Sequence, residues 1–169
     1  MNVTIIVEGA TEKAFRPHLT RFLTPRLPGK MPRLDMFLCD GRIPKGDKLR
    51  NKVNGLLSGR NAADAVIALT DVYTGTGDFV DAADAKAKMR NWVGPENRFH
   101  PHAAQHEFEA WLLPYWAEIQ KVARSNQKAP TGSPESVNHN NPPSHHIKSI
   151  FRIGDVLATT QNGVMLTEY

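Results

Sequence analysis

Three short, almost wholly apolar runs, Val3–Val7, Leu34–Cys39 and Ala65–Leu69, constrain the fold of this chain more than any other feature. Each is too short for a buried helix and lacks the alternation of a half-solvated strand. Each therefore reads as a strand buried on both faces. A fourth strand is expected over Arg98–Ala104. Helical patterns separate them. The first covers Glu12–Phe22, with Ala14, Phe15, Leu19 and Phe22 on one side, Thr11 as its cap and Pro17 disturbing its early turns. The second carries Leu49, Val53, Leu56 and Leu57 and closes at Gly59. The third is the alanine-rich Asp81–Val93, with Asp78 as a turn residue and Asp81 as the cap. A fourth helical pattern, Glu107–Trp116, places Phe108, Trp111, Leu112 and Tyr115 on one face. Strands alternating with helices predict an α/β fold with a mainly parallel sheet covered on both faces.

The 169 residues amount to about one ordinary domain. Ser125–Ser144, rich in Asn, Pro, Ser and His, reads as a long loop, Ile147–Leu157 as a final helix, and Ala158–Tyr169 as weakly patterned. The single cysteine, Cys39, excludes an intramolecular disulfide and closes an apolar run, as a core thiol would. No apolar run reaches the ~18–20 residues that cross a bilayer. The first residues lack a basic lead and a cleavage site, so no signal peptide is expected and the cytoplasm is the expected location. A net charge of +4 permits a polyanionic partner without demanding one.

In parallel sheets, sites lie at the carboxyl ends of the strands. That rule selects Glu8, Asp40, Asp71 and the acids near Glu107. Carboxylates gathered in one crevice repel one another and stay ionised at low cost only around a cation. Hard oxygen ligands favour Mg²⁺ or Mn²⁺. Glu8 and Glu12 are four apart across a tight turn, Asp71 follows a neighbouring strand, and Glu107 or Glu109 supplies a further ligand. Two such ions can activate a water and stabilise the leaving oxygen of a phosphodiester. Taken singly, each acid has an ordinary alternative: Glu8 a solvated turn, Glu12 a helix N-terminus, Glu109 a solvated helix face.

Other features carry less. Lys45, Lys48, Arg50 and Lys52 form a basic stretch that suits phosphate contacts or a solvated helix face. Gly75–Gly77 lacks the Lys-Ser/Thr of a phosphate-binding loop. His100, His102 and His106, and His139, His145 and His146, form two groups without the cysteine pairs of a structural zinc site. His106 stands beside Glu107, where it can orient a carboxylate. Trp92, Trp111 and Trp116 read as core residues.

Five elements carry a family resemblance. Glu8-Gly9-Ala10-Thr11-Glu12 resembles the first motif of the TOPRIM superfamily, which includes topoisomerase and primase catalytic domains and the OLD-family nucleases. Thr70-Asp71-Val72-Tyr73 resembles its Asp-x-Asp motif. Gln105–Trp111, Ser133–Asn138 and Pro142–Ile147 resemble segments of a family of small, stand-alone bacterial TOPRIM-like proteins that is a domain of unknown function. The resemblance spans about residues 2 to 153, in order. It implies a single Rossmann-like TOPRIM domain with a roughly four-stranded sheet, and metal binding by Glu8, Glu12 and Asp71, completed by Glu107 or, second, Glu109. Tyr73 stands where the superfamily motif has its second Asp, and His145-His146 where many relatives carry Lys-Arg. Lys148, or otherwise His145, then inherits the phosphate-contacting role. The tail beyond Leu157 lacks an expected closing helix, as in a truncated or divergent member.

The expected function is that of a Mg²⁺- or Mn²⁺-dependent nuclease acting on DNA or RNA. Glu8, Glu12, Asp71 and Glu107 would hold the metal, and Lys148 or Lys48 would stabilise charge on the phosphate. The resemblance further implies an ABC- or SMC-like ATPase partner and a role in phage defence. Two alternatives use the same residues: a non-catalytic subunit that binds an ATPase or nucleic acid, and a metal-dependent phosphatase or phosphotransferase.

Overall fold

The computed structural model describes residues 1–72, 77–137 and 141–162, with side chains of the last helix through residue 152. Its contacts divide into two compact units, one formed by Met1–Val72 with Asp78–Ala104, the other beginning at Gln105.

In the first unit, β1 (Asn2–Val7), β2 (Arg33–Leu38), β3 (Ala65–Asp71) and β4 (Phe99–Ala104) form a four-stranded sheet in the order β2-β1-β3-β4. All three pairings are parallel, with Val3 opposite Leu34 and Ala65, and Ile67 opposite His100. Parallel neighbours require crossovers, supplied by α1 (Ala10–Leu23), α2 (Asp47–Leu56) and α3 (Ala82–Val93). Because side chains alternate between faces, the apolar runs feed two cores. Ile6, Val66, Ala68 and Phe99 pack with Leu49, Val53, Ala85, Met89 and Val93 of α2 and α3. Val3, Ile5, Val7 and Leu34 pack, with Ile67 and Leu69, against Leu19 and Leu23 of α1. Helices thus cover both faces, the α/β arrangement that the run pattern predicts.

Local departures have physical reasons. Helix α1 begins at Ala10 with Gly9 as its N-cap, so Thr11 lies inside the helix. Pro17 is accommodated without interrupting it, at the loss of one intrahelical hydrogen bond. Its sheet-facing row is Glu12, Phe15, Leu19 and Leu23, leaving Ala14 exposed and Phe22 54% exposed, with the Arg26 guanidinium 3.8 Å above the Phe22 ring. Helix α2 ends at Leu56 with Leu57 as its C-cap, two residues before Gly59. Asp81 caps α3 as expected, accepting from the Asp84 amide at 2.8 Å.

In the second unit, Phe108–Tyr115 is a 3-10 helix followed by α4 (Trp116–Ala123). The buried residues are Phe108, Ala110 and Leu113, and Trp111 and Tyr115 are exposed rather than core. Trp116 is buried, and its indole N–H donates to the Gln127 carbonyl at 2.9 Å. A short 3-10 turn, Pro134–Ser136, interrupts the long connection before α5 (Pro143–Asn162), which begins four residues earlier and ends later than the sequence pattern suggests. Leu113, Trp116, Ala123, Val137 and Ile150 form this unit's core. No helix among the described residues is long and apolar enough to cross a membrane.

Candidate functional site

The carboxyl edge of the sheet gathers its acids by register. Ile6 pairs with Ala68, so one further residue pair along, Glu8 stands level with Thr70. The Thr70 hydroxyl donates to Glu8 Oε1 at 2.5 Å, and the Asp71 amide donates to the same oxygen at 3.3 Å. Glu8, Glu12, Thr70 and Asp71 are buried, each no more than 7% exposed. Glu12 lies in the first turn of α1, where a carboxylate complements the helix N-terminus. Its side chain folds back toward the strand end: a Cβ placed on Gly9 would lie 3.6 Å from Glu12 Oε2. Gly9 is extended, with φ −150°, so its backbone suits any residue.

The loop after β2 closes the other side of Glu8. The Cys39 amide donates to the Val7 carbonyl at 3.0 Å, and the Gly41 amide donates to the Glu8 carbonyl at 2.9 Å. Between them Asp40 adopts a left-handed backbone, φ 50°, and stays exposed, so it does not join the buried acids. Burial, and next the charge of Glu8, push the half-buried Cys39 thiol above its ordinary pKa, which makes it a poor nucleophile.

Glu8 and Asp71 are thus brought together, with Glu12 folded over Gly9 beside them. The other expected ligands belong to the second unit. Glu107 is half-buried, and its Oε2 accepts from the Ser144 amide at 3.0 Å, at the second residue of α5. That bond satisfies one of the helix's free N-terminal amides, a structural task the sequence reading did not assign to it. Glu109 is half-buried in the 3-10 helix, and His106 beside it is 8% exposed. Lys148 is exposed on α5, and Lys48 is exposed at the start of α2. Tyr73, His139 and Gly75 lie outside the described residues. Thr70 was visible in the sequence only as part of a motif; its place one residue before Asp71 at a strand end was the signal for its role.

The basic stretch after Arg42 is largely engaged internally. Lys45 and Arg42 pair with Asp78 at 2.5 and 3.1 Å. Arg50 pairs with Asp47 at 2.7 Å and donates to the Trp92 carbonyl at 2.8 Å. The Lys52 ammonium lies 4.1 Å from the centre of the Phe37 ring.

The donors at the carboxyl edge are all carboxylate oxygens, which fits a hard divalent cation in kind. As they stand, no group of three or more His, Cys, Asp and Glu side chains among the described residues is arranged to hold a metal ion. A family model described as Domain of unknown function (DUF4276) matches residues 7–169. The chain belongs to the DUF4276 family. The match covers the whole of the DUF4276 chain apart from its first six residues, and so includes every candidate site residue. No curated protein and no solved structure matches this DUF4276 chain.

Proposed function

We propose that this chain is a metal-dependent nuclease that hydrolyses phosphodiester bonds of DNA or RNA. The observation that carries the reading is the burial of three carboxylates, Glu8, Glu12 and Asp71, at the carboxyl edge of two adjacent parallel strands. Burying several acids together is costly unless a cation or hydrogen-bond donors compensate. Glu8, Glu12 and Asp71 would hold Mg²⁺ or Mn²⁺. The cation, when bound, supplies Lewis acidity toward the phosphodiester and acidifies water. The Thr70 hydroxyl and the Asp71 amide fix Glu8, so that only its second oxygen need turn toward the ion. Lys48, exposed at the start of α2, would neutralise charge on the phosphate. The resemblance of Glu8–Glu12 and Thr70–Tyr73 to TOPRIM motifs supports the same reading, and with it an ABC- or SMC-like ATPase partner, a role in phage defence and a cytoplasmic location.

Purified protein incubated with supercoiled plasmid, single-stranded DNA and transfer RNA in Mg²⁺ or Mn²⁺ tests the proposal. Cleavage that disappears in Glu8→Ala and Asp71→Ala is the expected result; cleavage retained in both variants refutes it.

A second reading, a non-catalytic module that binds an ATPase or nucleic acid, draws on Glu107, whose carboxylate already caps α5. It predicts binding without turnover, and robust cleavage by the purified protein rejects it. A phosphatase or phosphotransferase would use the same acids on a small ester, and release of phosphate from such esters distinguishes it.

A further inference from the structure

The lateral edge of the sheet carries a second concentration of charge, of opposite sign. Strand β4 is terminal in the sheet, and α3 packs beside it. His100 and His102 are two apart on β4, and Lys86 and Arg90 are four apart on α3; all four are exposed. Two residues of strand advance ~6.6 Å and four residues of helix ~6 Å, so the two rows keep step. Helix α3 runs opposite to the strand and packs on its Phe99 face, while His100 and His102, level with Ile67 and Leu69, stand on the other face; the two rows meet around the open edge of β4, where Arg90 and His100 line one cleft and Lys86 acts on His102.

At the amino end of this strip lies an open cleft of about 610 Å³, lined by Arg90, Gly94, Glu96, Asn97, Phe99 and His100 among others. Its one carboxylate, Glu96, is already neutralised. Arg98 grips both of its oxygens, at 3.2 and 3.0 Å, and the Arg98 amide adds a bond at 2.9 Å. No carboxylate pairs with Lys86, Arg90, His100 or His102 among the described residues. The register partners of the two histidines on β3 are Ile67 and Leu69, which carry no charge. Burial first, then Lys86, His100 and Arg90, holds the His102 pKa below its ordinary value, so these groups feel one another. Like charges held together without counter-charges are relieved by an anion, and a linear array at a regular step suits a linear polyanion.

We propose that the lateral edge formed by Lys86, Arg90, His100 and His102 holds the phosphodiester backbone of a nucleic acid strand, with a nucleotide unit seated in the cleft at Arg90, Asn97 and His100. The strip ends toward the carboxyl edge of the sheet, so a strand lying on it leads to Glu8 and Asp71; that last step rests on the nuclease reading, whereas the binding does not.

The test is fluorescence anisotropy of labelled single-stranded DNA and RNA oligonucleotides, with EDTA present so that hydrolysis plays no part. Wild-type protein is expected to bind, more weakly as salt rises. Lys86→Glu with Arg90→Glu is expected to weaken binding by about tenfold or more and to flatten the salt dependence. Lys30→Glu with Lys13→Glu, an equal charge change on exposed residues elsewhere, is expected to leave binding within about twofold. His100→Ala with His102→Ala is expected to weaken binding by a few fold through lost contacts. Thermal melts establish that each variant is folded. Absence of binding at low salt, or equal binding by the Lys86/Arg90 variant, overturns the proposal. Inorganic phosphate or a mononucleotide binding as tightly as the oligonucleotide also overturns it, in favour of a small-anion site. Binding that depends on Lys86 and Arg90 without metal-dependent cleavage would uphold the surface and reject the nuclease; cleavage indifferent to these residues would do the reverse.

Discussion

The carboxyl edge and the lateral edge of one sheet handle charge in opposite ways. At the carboxyl edge, Glu8, Glu12 and Asp71 are buried, and a hydroxyl and an amide converge on Glu8. At the lateral edge, Lys86, Arg90, His100 and His102 are exposed and spread along a strand and a helix. Burial fixes the acids in place and makes each donor around them consequential, because an unmatched charge in the interior is costly. Exposure leaves the cations screened by water and salt, individually weak for stability and useful only together. In the proposed reading the acids form the reaction centre and the cations a landing surface.

The contrast breaks first at the acids. Glu8→Gln or Asp71→Asn is expected to reduce metal-dependent cleavage by more than about a hundredfold, a loss at least as large as that from disturbing the partners of a metal ligand. Initial rates on single-stranded substrate measure it, and a variant within tenfold of wild type removes that residue from the reaction. Thr70→Val comes next. It deletes the hydroxyl on Glu8 Oε1 and leaves the Asp71 amide alone on that oxygen. A stability loss of about 1–3 kcal/mol is expected in urea unfolding; an unchanged midpoint would mean that water replaces the hydroxyl and that the carboxyl edge is wetter than the buried acids imply.

Much of this arrangement was legible in the sequence. The apolar runs over Val3–Val7 and Ala65–Leu69 could be satisfied only between two helical layers, and they placed Glu8 and Asp71 at one edge. The face assignments of the helices were less so. Phe22, Trp111 and Tyr115 are apolar residues at the spacing of a buried row, yet each is exposed. A hydrophobic pattern states what gains from burial and is silent on where the neighbouring layer ends, and Phe108–Tyr115 forms a 3-10 helix where the pattern was read at the α-helical spacing. The bond from the Ser144 amide to Glu107, 37 residues apart, has no local signal at all.

Acidification sharpens the comparison from the exposed side. Lys45 first, through its hydrogen bond, and then Arg42 hold the Asp78 carboxyl below the usual range, while Arg98 does the same for Glu96. Because these folded-state pKa values are depressed, the stability they contribute is present above the unfolded value of about 4 and is lost as pH falls through the folded values. Thermal melts from pH 6 down to pH 2 are expected to show that loss below about pH 4. Lys45→Ala should lower stability slightly at pH 6 and reduce the amount lost on acidification, since the pair is partly solvated. A larger response would mean that the Asp78 cluster ties β-sheet loops together more firmly than an exposed ion pair can.

The smallest expected effect reads the field of the acids at a distance. Alkylation of Cys39 by iodoacetamide at pH 8 should be slower than that of an unfolded control, because burial foremost and Glu8 second raise its pKa. Glu8→Gln should quicken it by no more than a few fold, since the larger cause remains. No change would place Glu8's charge farther from the thiol than the loop geometry indicates.

The position of β4 at the end of the sheet has a consequence for association. A terminal strand offers unpaired backbone groups to any other strand that approaches. Here the Arg98 and Ala104 carbonyls accept from Val66 and Val72 of the neighbouring strand, at 2.9 and 3.0 Å, which turns the alternate amides of Phe99, Pro101 and Ala103 outward. The Phe99 amide is taken by the Glu96 carbonyl at 3.2 Å, and Pro101 has no amide hydrogen to offer. An intruding strand would find one donor occupied and the central one missing, with histidines flanking the gap. This edge is thereby a poor template for a second chain, and it is kept as a surface in water.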